Sequence, residues 1–321
     1  MKTLFIDCND QLAAVWDSVV RADDPPIEVN RTPFERTELP RLLNGYDICI
    51  DDHSYMPTEL VAQCDALKHI VFLGTGPSSY MNVAEIEARG VRVHTIKGYG
   101  DIAVAEHALA LTFALARRVA EGDRAIRAGL WAAAQGVELA GKTAGIVGYG
   151  GIGARFASLL AAVGMRVVAW TAHPDPARLT SPAQRFVPLA ELMATSDVVS
   201  LHLLLTDDTR GMIDEPLLRS LKPGALLVNT ARAELIASGA LEAVLADGRV
   251  MAALDVFETE PLAADSPLRG LPNVILSPHQ GYNTPESLER MLDAVVANIE
   301  NYLAGRPASI VAGPRYLAPS A

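Results

Sequence analysis

Short apolar runs alternate with longer amphipathic stretches along most of this chain. In its first part the runs are Thr3–Ile6, Ile48–Ile50, Ile70–Leu73 and Val91–Val93, with a weaker one at Ile27–Val29. Brief apolar runs without polar alternation suit strands covered on both faces, and the stretches between them can form crossover helices. A small parallel α/β sheet over residues 1–98 is the expectation. Asp101 then stands as an N-cap for a long helix, Ile102 to about Ala120, apolar on almost every side. Ala103, Ala105, Ala108, Ala110, Ala114 and Ala116 would let it pack closely, in a core or between subunits. On that helix Glu106 and His107 read as a buried, mutually satisfied pair. Further apolar runs follow at Ala144–Val147, Arg166–Trp170, Asp197–Leu201, Ala225–Val228, Met251–Val256 and Val274–Leu276. They predict a second, doubly wound sheet over residues 99–285. Thr284 and Pro285 suit the N-cap and first turn of a last helix reaching about Leu303.

The run Ala144–Val147 ends in Gly148-Tyr149-Gly150-Gly151-Ile152-Gly153, and a helix-forming stretch follows. Gly164 sits where that helix would end, and Arg166–Trp170 completes a β-α-β unit of the length a dinucleotide site needs. Gly148 allows the tight turn, Gly150 lets backbone approach a pyrophosphate, and Gly153 lets the helix pack close to the strand. N–H groups at the helix start would face the phosphates. A lone G-x-G-x-x-G is weak evidence; set between a strand and a helix it is strong. The acid that grips the ribose of NAD is missing, because Thr171 ends the second strand and Asp175 lies beyond Pro174. Thr171 does not repel a 2′-phosphate, and His173 and Arg178 can attract one. The cofactor is therefore NAD or NADP.

Composition narrows the class. At 321 residues the chain exceeds a typical single domain, and half of it is hydrophobic. Its charge, 27 − 38 = −11, is spread without a basic stripe, which argues against nucleic acid or an anionic membrane as partner. Cys8, Cys49 and Cys64 lack C-x-x-C spacing, so reduced thiols are expected. The opening MKTLFIDC has no signal-peptide architecture, and no apolar run approaches the ~20 residues of a spanning helix. A cytoplasmic protein without a metal site is the expectation.

Arg232, Glu260 and His279 each follow a predicted strand of the second sheet, where the reactive end of a nicotinamide would lie. Arginine can hold a carboxylate by two charge-assisted hydrogen bonds. Histidine can move the hydroxyl proton while hydride leaves the same carbon, and a carboxylate can orient that histidine and favour its charged form. The remaining histidines (His53, His69, His94, His107, His173, His202) show no such arrangement in the sequence. In the first part, Gly74-Thr75-Gly76-Pro77 leaves the end of a strand. It reads equally as a tight turn or as a nest of N–H groups for a carboxylate. The loop Asp51-Asp52-His53-Ser54-Tyr55 reads equally as a solvated turn or as a selector of substrate side chains.

These segments resemble the D-isomer-specific 2-hydroxyacid dehydrogenases over essentially the whole chain. The resemblance is carried by VAEHALAL (104–111), GIVGYGGIG (145–153), SDVVSLHLLLTDDTRGMI (196–213), PGALLVNTAR (223–232), ALDVFETEPL (253–262) and NVILSPHQG (273–281). It implies a Rossmann-type doubly wound cofactor domain, 99–285, inserted into a smaller flavodoxin-like α/β substrate domain formed by 1–98 and 286–321. It implies Arg232 as substrate clamp, Glu260 as partner of His279, and His279 as acid/base. Thr75 and Gly76 would offer N–H groups to the substrate carboxylate. His202, Thr230 and Asp255 would join the glycine turn in holding the cofactor. The substrate would be a small 2-keto or D-2-hydroxy acid, glyoxylate- or hydroxypyruvate-like, and the enzyme a homodimer through its cofactor domain. Nicotinamide-sensing corepressors of the same fold are the alternative. Three positions depart from the family pattern: Ala233 for the usual Gly, Ala237 for Asp or Asn, and Leu204 for a common Pro.

Overall fold

A computed structural model describes residues 1–305. The chain divides into two compact units, Asp101–Tyr282 and the remainder, which joins Met1–Gly100 to the segment from Asn283 onward.

The first unit holds β1 (Thr3–Phe5), β2 (Ile27–Val29), β3 (Ile48–Asp51), β4 (His69–Phe72) and β5 (Arg92–Thr95). All pair in parallel, in the order β2-β1-β3-β4-β5. This is the flavodoxin-like order; the inner strands β1, β3 and β4 are buried along most of their length and need helices on both faces. The Asp10–Val19 helix turns Leu12, Ala13, Trp16 and Val19 inward. Asn9 caps it by accepting from the Leu12 N–H at 3.0 Å. The Pro285–Leu303 helix packs beside it. Thr284 caps that second helix through the Ser287 N–H, as its sequence predicts.

The second unit holds β6 (Thr143–Val147), β7 (Arg166–Trp170), β8 (Arg185–Phe186), β9 (Val198–Leu201), β10 (Leu226–Asn229), β11 (Met251–Leu254) and β12 (Val274–Leu276). Their order is β12-β11-β10-β9-β6-β7-β8, all parallel. The order reverses between β6 and β9, which is where open α/β sheets bind ligands. Strand β8 has two residues, too few to show any periodicity, and no apolar run announces it.

The long helix predicted from Ile102 to about Ala120 is in fact two. The first spans Asp101–Ala116 and the second Val119–Arg127, with Arg118 in the left-handed region between them at φ 53°. Asp101 is the first helical residue rather than the cap. Alanines let the Asp101–Ala116 helix pack against the Gly151–Ala162 helix and over β10 and β11. The Val119–Arg127 helix buries nothing within the chain. Around it Val119, Ile126, Leu130 and Trp131 are exposed, Trp131 at 95%. Among the described residues no helix is long and apolar enough to cross a membrane, and no group of side chains could hold a metal ion.

Candidate active site

The glycine turn is built by close approaches. Gly148 has φ +98°, and a Cβ there would lie 2.5 Å from the His202 carbonyl oxygen. A Cβ on Gly153 would overlap the Gly148 carbonyl, so the helix starts tight against the end of β6. Gly150 is different. Nothing lies within 4 Å of its Cβ position, leaving open space at the N-cap of the Gly151–Ala162 helix. Tyr149 is buried, donating through its hydroxyl to Gln184 Oε1 at 2.7 Å, and Ile152 is half-buried. Gly151 packs against the Asp101 carboxylate. Thr171 follows β7 directly and is half-exposed. Arg178 reaches back to donate to the Tyr149 carbonyl.

Two polar atoms near this turn lack a partner among the described residues, His202 Nε2 after β9 and Thr230 Oγ1 after β10. Burial pushes the His202 imidazole down to about 3, so it is neutral, and its ring packs on Phe156. Buried polar atoms are seldom left unpaired. The orphaned atoms and the open face over Gly150 fit a dinucleotide with polar edges.

At the neighbouring strand ends Arg232, Glu260 and His279 come together. Asn229 shapes the turn after β10: its amide donates to the Arg232 carbonyl at 2.9 Å and its oxygen accepts from the Ala231 N–H at 3.0 Å. Glu260 Oε2 lies 2.6 Å from His279 Nδ1, and Oε1 accepts from the Phe257 N–H at 2.9 Å. Burial pushes the Glu260 carboxyl up. The His279 hydrogen bond and charge, the Phe257 N–H and the Arg232 charge outweigh that and hold it below its usual value. His279 has φ 50°, a left-handed backbone that costs a non-glycine residue about 1–3 kcal/mol.

Something must hold that turn, and it is Asp255. Its two oxygens accept the N–H groups of Gln280, at 3.1 Å, and Gly281, at 2.8 Å. Burial raises the Asp255 carboxyl, but bonds from His107, Ser277 and Gln280 win and keep it low. His107 therefore does not pair with Glu106, which is exposed. Its Nε2 lies 3.1 Å from Ser277 Oγ and 3.3 Å from Asp255 Oδ1. Nothing local in the sequence marks this partnership.

Comparison with known proteins fits this geometry. The sequence model of the D-isomer specific 2-hydroxyacid dehydrogenase NAD binding domain matches residues 109–281. The chain belongs to the D-isomer-specific 2-hydroxyacid dehydrogenases. It is 34% identical over 293 residues to a hydroxypyruvate reductase of Blautia hydrogenotrophica, covering 87% of this chain and 90% of that one. It is 32% identical to a glycerate dehydrogenase of Methylorubrum extorquens, covering 97% and 98%. The crystal structure of the TT0316 protein from Thermus thermophilus superposes with TM-score 0.84 at 34% identity, covering 97% of this chain and all of that one. The chain spans about half the length of several D-3-phosphoglycerate dehydrogenases that it also matches. It is thus an NAD(P)-dependent oxidoreductase acting on a CH–OH group.

In this 2-hydroxyacid dehydrogenase the three departures lie in the segments that follow β9 and β10. Leu204 is 57% exposed in the loop after β9. Ala233 opens a short 3-10 turn after Arg232. With Ala237 in place of Asp or Asn, the Ala240–Ala246 helix is capped by Gly239 at φ 73°, without a side-chain bond. In the first unit Thr75 is exposed and Gly76 half-exposed, and their N–H groups donate to nothing among the described residues. The Asp51–Tyr55 loop is tied down by Asp7, which sequence reading did not single out. Asp7 accepts the N–H groups of Asp52, His53 and Ser54 at 2.9–3.0 Å. His53 lies 2.8 Å from Asp52, and Arg36 covers the Tyr55 ring.

Proposed function

We propose that this enzyme interconverts a small 2-keto acid and the D-2-hydroxy acid, with glyoxylate- or hydroxypyruvate-like substrates. The observation that carries the reading is the 2.6 Å contact between His279 Nδ1 and Glu260 Oε2, with Arg232 close enough to lower that carboxyl. Glu260, kept ionised, fixes the tautomer and direction of the His279 ring. The other ring nitrogen, Nε2, then passes a proton to the keto oxygen during reduction and takes it back during oxidation. Arg232 grips the substrate carboxylate with its planar fork. The unspent N–H groups of Thr75 and Gly76 suit a carboxylate as well. NAD(P)H, when bound along Gly148–Gly153 and beside Thr171, His202, Thr230 and Asp255, supplies the hydride. The names of the hydroxypyruvate and glycerate relatives support the substrate class.

Both NADH and NADPH should serve, since Thr171 places no negative charge at the end of β7 and Arg178 lies at the glycine turn. The exposed apolar residues Val119, Ile126, Leu130 and Trp131 support a homodimer through the second unit. Free buried thiols at Cys8, Cys49 and Cys64 support a reducing cytoplasm. The test is a panel of 2-keto acids, each assayed with NADH and with NADPH. Turnover of glyoxylate or hydroxypyruvate is expected. Nicotinamide binding without turnover of any acid would instead favour a corepressor-like binding protein.

A further inference from the structure

His107 lies on the buried face of the Asp101–Ala116 helix, three or four residues from Ala103, Val104 and Leu111, all buried. An apolar side chain would satisfy such a place. Instead an imidazole nitrogen is set between Ser277 Oγ and Asp255 Oδ1, at 3.1 and 3.3 Å. The same carboxylate receives the N–H groups of Gln280 and Gly281, the residues that follow His279. A Cβ added to Gly281 would meet Asp255 Oδ2 at 3.0 Å and the His107 ring at 3.3 Å, so imidazole, carboxylate and turn are packed together. Asp255 is 1% exposed, and a carboxylate so buried is costly unless its partners are in place.

We propose that His107 is a positioning residue for the reaction. By donating to Asp255 it keeps that carboxylate aimed at the N–H groups of Gln280 and Gly281. It thereby holds His279 in the left-handed backbone from which its ring meets Glu260. The proposal rests on His279 being the acid/base, and it adds a helix outside the strand ends to the machinery. The histidine acts at a distance: it touches the clamp on the turn, not the pair that moves the proton.

The test uses His107→Leu, which keeps bulk without a donor, and His107→Gln, which keeps an N–H donor. At saturating cofactor, His107→Leu should lower kcat for keto-acid reduction about 10–100-fold, with KM nearly unchanged, as misplacement of a catalytic group does. His107→Gln should recover most of that loss. Amide exchange at Gln280 and Gly281 gives a readout independent of turnover, faster in His107→Leu and near the parent's in His107→Gln. Should the leucine variant not fold, His107→Asn, whose amide is too short to reach Asp255, takes its place. Parent-like kcat in the donorless variant, equal losses in both variants, or unchanged amide exchange would overturn the proposal. If His279→Ala kept full turnover, the acid/base reading would fall, while amide exchange would still decide the role of His107.

Discussion

The two sheets set carboxylates at their carboxyl edges in opposite ways. At the edge of the first, burial drives Asp7 and Asp51 upward; the Asp52 charge raises Asp7 further, and Asp7 raises Asp51. Their bonds go largely to backbone N–H groups of one loop, so they serve to fix its shape. At the edge of the second, burial pushes Asp255 and Glu260 up as well, yet both end below their usual values. The difference is a histidine for each: His107 beside Asp255 and His279 beside Glu260. Burial alone does not keep a carboxylate ionised. A hydrogen-bonded histidine beside it helps to do so where water cannot.

Each part of this contrast can be broken by substitution. The largest effect should come from His279→Ala, which should lower kcat by about 10²–10⁴, the usual worth of positioned proton transfer. The histidine–carboxylate pair of the first sheet, His53 with Asp52, should not behave so. His53→Ala should leave turnover of the smallest keto acid near the parent's and change only the ratio of kcat/KM between small and bulky acids. Equal losses of kcat in the two variants would erase the distinction. Next, Arg232→Lys should lower kcat/KM about 10–100-fold, because a lysine cannot reproduce a two-point grip on a carboxylate. Kinetic constants matching the parent would make Arg232 a surface charge.

A smaller effect is expected of Glu260→Gln on the pH profile. Keto-acid reduction draws its proton from His279, whose contact with Glu260 helps to hold that carboxyl below its usual value. With an amide there, that charged contact is lost and the alkaline limb of the reduction rate should move to lower pH. An unmoved limb would break the pairing. The smallest effect separates the two edges directly. Asp51 is held well above 3.8, so its folded form keeps a proton that the unfolded chain gives up, and stability falls as pH rises through that folded value. Asp51→Asn should therefore leave Tm at pH 7 unchanged or raise it. Asp255 is held below 3.8, so its contribution is present above that value and is lost as pH falls through the folded one. Asp255→Asn should lower Tm at pH 7, by the equivalent of about 1–3 kcal/mol, and the deficit should close in acid. Thermal melts of both variants across pH would show it.

Much of the frame could be read from residues alone. Parallel strands covered on both faces must be apolar throughout, so β1, β3, β4, β6, β7 and β9 to β12 stand out as short runs. The glycine turn is legible because Gly148 and Gly153 have no room for a Cβ, and that demand is written in residue type. Arg232, Glu260 and His279 are legible as polar residues closing apolar strands. What failed was what depends on space rather than on neighbours in the chain. The break at Arg118 is a backbone turn between the apolar run that ends at Ala116 and the Val119-Ala120 pair. A Cβ on Gly136 would crowd the Ala116 carbonyl there, an approach made from outside the helix. Asp7 merely follows the first apolar run, and nothing in the sequence singles it out. Only pairing of β1 with β3 brings it to the Asp52–Ser54 backbone. His107 looked like the partner of Glu106, its neighbour in sequence. A helix turns successive residues through about 100°, so Glu106 faces solvent while His107 faces the sheet. The sequence by itself determined most of the strands, the glycine turn and the polar residues that follow the strand ends, because those are set by local burial and by residue chemistry. The tertiary structure alone decided which carboxylates stay charged and what holds the turn at His279, because both depend on groups far apart in the chain meeting in space.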